Sequence, residues 1–317
     1  MPQQGKVKKT MKTLIVILGP TGVGKTETCL RVAEFFHVPI INADSRQIYK
    51  GIPIGTATPT KEQQTRVKHY MVECLKLGDY YNAAMYEQDV LSLLEQLFNE
   101  SDIALLSGGS MMYIDAVCNG MGELPTVSDE LREKMKDRLQ QEGLESLCEE
   151  LKEIDPEYYR IVDRHNYRRV VHALEIIHTT GRTFTSLRTG EKKKRPFRII
   201  KIGLTRPREE LYERINRRVD QMIEQGLESE ARNVYHLKDT NALNTVGYKE
   251  LFAYFDGQWS LDEAIERIKG NTRRYCRKQL TWFKRDKSVN WIDISQRNDK
   301  QIVEQISQIL QQVTSLP

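Results

Sequence analysis

Eight residues near the start of the chain have the types and spacing to bind phosphate. Gly19, Pro20, Thr21, Gly22, Val23, Gly24, Lys25 and Thr26 spell G-x-x-x-x-G-K-T, the pattern of a P-loop. Its glycines let backbone N–H groups turn toward an anion, its lysine adds a point charge, and its threonine offers a hydroxyl to a metal ion. Thr26 is therefore the candidate metal ligand, and Mg2+ the expected cofactor. The loop specifies a polyphosphate. It leaves open whether that ligand is ATP or another phosphate ester.

Other groups could work beside it. Asp44, Ser45, Arg46 and Gln47 form a polar run that continues into Ile48 and Tyr49. Asp44 is either a functional carboxylate or a helix N-cap. Gly108, Gly109 and Ser110 bring close backbone and a hydroxyl, or make a plain strand-to-helix turn. Arg214 and Arg218 are four apart and share a helix face, as phosphate ligands or as solvated charges. Arg273, Arg274, Arg277 and Lys278 are interleaved with Tyr275, Trp282 and Phe283. That composition suits phosphate contact and base stacking, or a charged face over an aromatic core stripe.

These groups need elements to position them. Thr13 to Leu18 is continuously apolar and β-branched, which predicts a buried strand. Lys25 to Phe36 has helical periodicity in Cys29, Val32, Ala33 and Phe36. Strand, glycine loop and helix aim amides at an anion. Val38 to Asp44 predicts a second strand, and Ile103 to Ser107 another. Ligands of open α/β sheets sit beyond the carboxyl ends of strands, so Asp44, Ser45 and Ser110 fall near the P-loop.

Gly55 to Pro59 reads as a loop, Tyr70 to Val72 as a short strand and Tyr86 to Phe98 as a helix. From about Gly122 to Arg195 the chain is charged and helical, with no strand candidate. It ends in a basic loop, Lys192-Lys193-Lys194-Arg195. Phe197 to Leu204 returns to strand. Pro207 starts a helix that Gly226 stops, and helices are expected over Glu228 to Leu237, from Val246, and over Leu261 to Lys284. Asn290 to Ile294 is a last strand, and Gln301 to Val313 a docking helix. The expected fold is α/β: a P-loop NTPase-like parallel sheet flanked by helices, with an all-helical insertion. The expected divisions are a disordered leader 1–12, core 13–121, helical insertion 122–196, core with basic helices 197–295, and a C-terminal helix 296–317.

The chain has 317 residues, 39% of them hydrophobic and 29% charged, which suits a globular protein. No apolar run is long enough to span a membrane, and the basic leader lacks a secretory core. Five scattered cysteines argue for reduced thiols and a cytoplasmic location, with no zinc or disulfide framework. The net charge is +4, yet Glu266 to Lys287 alone carries nine Lys or Arg against two acids. A local basic strip on a nearly neutral protein points to a polyanionic partner at one face.

Taken together these words resemble the tRNA dimethylallyltransferases, in their bacterial form. The resemblance runs in order from about residue 13 to 295. It rests on Gly19 to Thr26, Asp44 to Tyr49, Gly55-Thr56-Ala57, Gly108-Gly109-Ser110, Arg168 to Glu175, Val246 to Lys249, and Gln279 to Phe283. Where the family usually has Thr, Lys and Arg, this chain has Ser110, Thr58 and His172. The segment from Lys68 to Tyr86 is shorter than usual, and no cysteine–histidine finger follows residue 295.

The resemblance implies transfer of a dimethylallyl group from dimethylallyl diphosphate to the N6 amine of the adenine 3′ of the anticodon. Lys25, Mg2+, Arg214 and Arg218 would hold the diphosphate, Asp44 would act as general base, and Ser110 would hydrogen-bond the acceptor. The implied tRNA contacts include Asp44, Ser45, Arg46, Gln47 and Ser110. On the insertion they are Arg132, Arg168, Arg169, Val170, Val171 and His172. Later come Asn244, Thr245, Val246, Gly247, Tyr248 and Lys249. The last strip is Arg277, Lys278, Gln279, Leu280, Thr281, Trp282, Phe283 and Lys284. The adenine must leave its stack to react; Tyr248, Trp282 and Arg46 suit stacking with splayed bases. The expected partner is the tRNA anticodon stem-loop, and the expected state a monomer. A P-loop kinase of small molecules is the first rival, but Ser-Gly-Gly ends the strand where it would place an acid. The second is a transferase acting on free adenine nucleotides, which has little use for the basic strip.

Overall fold

A computed structural model describes residues 11–121, 125, 127–188 and 193–314. Most of the expected leader, together with Gly122 and Lys192, lies outside the described residues. The chain forms two compact units, Met1–Cys118 with Arg195–Pro317, and Asn119–Lys194.

The first unit is built on a six-stranded sheet: β1 (Thr13–Leu18), β2 (Ile40–Ala43), β3 (His69–Tyr70), β4 (Ile103–Gly108), β5 (Arg198–Thr205) and β6 (Val289–Asp293). Their order is β3-β2-β4-β1-β5-β6, all parallel. This is the P-loop NTPase-like arrangement. After Thr13, β1 is wholly apolar because both of its faces are covered: Leu14, Val16 and Leu18 enter one core, and Ile15 and Ile17 the other. Burying each such side chain contributes about 1.5–3 kcal/mol. Helix Ala83–Glu100 packs the first core through Val90, Leu94 and Leu97. Helices Lys25–Phe36 and Asp299–Thr314 pack the second, through Leu30, Val32 and Ala33 and through Ile302, Ile306 and Leu310. The side chain of Val313, expected on that last face, lies outside the described residues.

Register brings the carboxyl ends of four strands level. Leu18 pairs with both Gly108 and Gly203, and Ala43 pairs with Gly108. Gly108 allows this, since a Cβ there would stand 2.0 Å from the Ala43 carbonyl oxygen.

The second unit is helical: Asp129–Ile154, Pro156–Ile161, Tyr167–Thr180 and Phe184–Leu187. Gly143, at φ 79° and ψ 167°, breaks the first of these in two. Leu147, Leu151, Val170, Leu174 and Phe184 share its core. Asp155, 1% exposed, takes the Tyr158 amide at 3.0 Å and the Thr185 amide and hydroxyl at 2.8 and 2.7 Å. It is the N-cap of Pro156–Ile161.

Three local expectations change. Gly55 and Thr56, expected in a loop, belong to the helical turn Pro53–Thr56; the Glu230 carboxylate accepts the Ile54 and Gly55 amides, both at 2.8 Å. β3 stops at Tyr70 because Met71 and Glu73 have positive φ. The stretch from Glu228 to Leu237 divides into helix Leu227–Asn233 and a 3-10 turn at Tyr235–Leu237. Arg195 lies in the expected basic loop, but its side chain is buried and ion-paired to Glu87 at 2.8 Å.

Candidate active site

A cleft of about 760 Å³ opens at the carboxyl edge of the sheet. The P-loop forms one wall, and its carbonyls are tied away. Lys25 Nζ donates to the Gly19 and Pro20 oxygens at 2.8 and 2.9 Å. Arg214 Nε donates to Gly22 O, and Arg206 Nε to Val23 O, each at 2.7 Å. The Gly22, Gly24, Lys25 and Thr26 amides find no hydrogen-bond partner among the described residues. Gly22 and Gly24, at φ 85° and 107°, adopt the left-handed backbone that favours glycine. Free amides, a helix N-terminus and cations make an anion site.

The charges fit that reading. Burial pushes the Lys25 ammonium down to about 8, with Asp44 opposing and Arg218 reinforcing the shift. Burial also lowers Arg218, again against Asp44. Arg218 makes no hydrogen bond or ion pair among the described residues, although it lines the cleft. Thr26 is exposed on the same wall. Opposite, Asp44 Oδ1 accepts the Arg46 amide at 2.9 Å and the Gln47 amide at 3.4 Å. Its second oxygen accepts no hydrogen bond among the described residues. The helix N-cap expected at Asp44 is not formed: residues 45–48 make a turn and no helix, and Asp44 Oδ1 holds that turn.

A family model described as IPP transferase matches residues 47–286. The chain belongs to that family. The tRNA dimethylallyltransferase 1 of Bacteroides thetaiotaomicron is 58% identical, over 97% of this chain and 98% of that relative. The tRNA dimethylallyltransferase of Cytophaga hutchinsonii is 45% identical, over 88% and 92%. Among solved structures, the tRNA isopentenylpyrophosphate transferase of Bacillus halodurans aligns with TM-score 0.71 at 33% identity, over 96% and 97%. A eukaryotic dimethylallyltransferase acting on tRNA aligns with TM-score 0.81 at 24% identity, over 95% of this chain and 80% of that one, a likeness of fold.

In this IPP transferase the cleft gathers the P-loop, Asp44, Ser45, Arg46, Gln47, Arg214, Arg218, Asn244, Thr245, Val246, Gly247 and Lys249. Ile215, Val219, Met222, Leu227 and Ile268 add an apolar wall. Arg46 is held to the Asn241 carbonyl at 2.7 Å. On the basic helix, Arg277, Lys278, Thr281 and Lys284 are exposed. On the insertion, Arg168, Arg169 and His172 are exposed and Val171 half-buried. Arg132 pairs with Asp129 at 2.8 Å.

Several residues expected to make contacts are buried or half-buried. Ser110 is 7% exposed; its hydroxyl takes the Ser45 amide at 2.7 Å and donates to Ser45 Oγ at 3.1 Å. It braces the turn that follows Asp44. Tyr248 is fully buried and donates to Glu230 Oε1 at 2.6 Å, so its ring has no face for a base. Gln279, Phe283 and Val170 are core residues, and Leu280 is half-buried against the second core. Trp282 is half-buried, and its Nε1 donates to Asp115 at 3.0 Å. Sequence reasoning missed Arg206 and Glu230. Arg206 follows β5 as Asp44 follows β2, so position at the sheet edge was its signal; Glu230 gave none.

Proposed function

We propose that this chain transfers a dimethylallyl group from dimethylallyl diphosphate to N6 of the adenine 3′ of the anticodon in tRNA. One observation carries the reading: across a single cleft, the Gly22, Gly24, Lys25 and Thr26 amides, which donate to no group among the described residues, stand with an Asp44 carboxylate oxygen that accepts from none of them. An anion and a proton donor would complete them.

The amine nitrogen attacks C1 of the dimethylallyl group, the C1–O bond breaks, and diphosphate leaves with the electron pair. Charge grows on the leaving oxygens, where the P-loop amides, Lys25 and Arg218 stabilise it. The N6 proton passes to Asp44, since a purine amine is a weak nucleophile. The apolar wall excludes water from the allylic carbon.

Mg2+ fits Thr26. That ion binds through few protein ligands beside substrate phosphates, and Thr26 offers an exposed hydroxyl on the cleft. When bound, the ion neutralises diphosphate charge. Arg277, Lys278 and Lys284 would hold the tRNA backbone. The enzyme is read as a cytoplasmic monomer.

Incubation with radiolabelled dimethylallyl diphosphate and unmodified tRNA, followed by nucleoside analysis, tests the proposal. Labelled N6-isopentenyladenosine in tRNA is expected, and none with AMP as acceptor. Absence of label in tRNA would overturn it.

A further inference from the structure

We propose that Gln279 is a positioning residue of the diphosphate site, locking the P-loop to the basic helix. The proposal rests on the P-loop being that site. Gln279 is 1% exposed, on helix Leu261–Phe283. Its Oε1 accepts the Thr21 amide at 2.9 Å, and its Nε2 donates to the Gly109 carbonyl at 2.9 Å. Only this orientation of the amide satisfies an N–H and a C=O together. One side chain thus joins three segments that are distant in sequence.

The neighbours are shaped for it. Gly109 has no side chain, and a Cβ there would stand 2.5 Å from Gln279 Nε2. Cys276, Gln279 and Phe283 share the buried stripe of the helix, while Arg274, Arg277 and Lys278 face solvent. The bond to Thr21 fixes the Pro20–Thr21 peptide plane at the start of the amide cradle. Cations hold the loop's carbonyls; Gln279 holds this amide. The helix whose exposed face carries the basic strip is thereby fixed to the loop that grips the leaving group. A displacement transfer needs acceptor and leaving group held in register.

The test uses Gln279→Met, similar in length but without either hydrogen bond, and Gly109→Ala, whose methyl must displace the Gln279 amide. Inorganic pyrophosphate binding is measured by calorimetry, with KM and kcat for dimethylallyl diphosphate and Kd for tRNA. Each variant should raise the pyrophosphate Kd and the KM about tenfold, roughly 1.4 kcal/mol, with tRNA Kd within about twofold. The double variant should bind pyrophosphate no worse than the weaker single, because both break one bridge. Unchanged pyrophosphate binding and KM in Gln279→Met, even with a lowered Tm, would overturn the proposal, as would multiplying losses. If Gln279→Met does not fold, Gly109→Ala decides on the same readouts. Failure of the unaltered protein to bind pyrophosphate would instead sink the P-loop reading.

Discussion

Asp44 Oδ1 caps the turn it begins, accepting the Arg46 amide at 2.9 Å, while its other oxygen is left to the cleft. Asp44→Asn separates the two tasks. Asparagine caps as well as aspartate, so Tm should hold within about 1 °C. A lost general base lowers turnover by about 10²- to 10⁴-fold. Single-turnover transfer with tRNA binding as control measures this, and near-normal transfer would remove Asp44 from catalysis.

Lys25 gives the site a pH dependence. Its ammonium is lowered from 10.5 to about 8, chiefly by burial. As pH rises through 8 the free protein loses this charge, while bound diphosphate favours the protonated form. Affinity should therefore fall between pH 7.5 and 9.5, with proton uptake on binding. Calorimetry in buffers of different ionisation enthalpy reads both, and Lys25→Arg should abolish the dependence. For stability the sign is opposite: the unfolded chain keeps the proton up to 10.5, so Lys25's contribution to stability rises from pH 8 to 10.5.

The exposed face of the basic helix should act by charge. Arg277→Ala and Lys278→Ala should each lower the salt slope of tRNA binding by about one unit. Arg273 is a poorer choice, being half-buried and bonded to Asn216. Unchanged slopes would mark these side chains as a solvated face.

Gly108 tests the sheet. A methyl there meets the Ala43 carbonyl at 2.0 Å, so β2 and β4 must part. Gly108→Ala should cost about 3 kcal/mol and lower Tm by roughly 6–12 °C. Gly78→Ala, with nothing within 4 Å, is the control and should change Tm little.

Local signals explain what was legible. Thr13 to Thr26 fixes strand, loop and helix within one short stretch, and Lys25–Phe36 forms as periodicity requires. Asp44 was placed beside the P-loop because strand ends face ligands, and it lines the same cleft. The burial of Gln279 was not legible because a glutamine among arginines reads as surface, and only packing shows which side of a helix is buried. The burial of Tyr248 was hidden for a related reason. Its ring lies on Gly55, where a Cβ would stand 2.4 Å from the phenol oxygen, and no local pattern announces so distant a contact. Arg195 stood in a basic run, but Glu87, its partner, is remote in sequence.

That arginine also bears on how such a chain can be edited. Arg195 donates to the Ala116 and Val117 carbonyls at 2.7 and 2.9 Å, so the chain leaves the sheet unit and re-enters it at one stapled doorway. Whatever is spliced between those jambs need not disturb strand register, since closing the gap costs only slowly growing loop entropy. The helical segment is, in this sense, an exchangeable cassette. Replacing residues 119–194 with a short glycine-serine turn should leave a remnant that still melts cooperatively, as calorimetry would show; a broad, non-cooperative transition would mean that the sheet unit cannot stand without it.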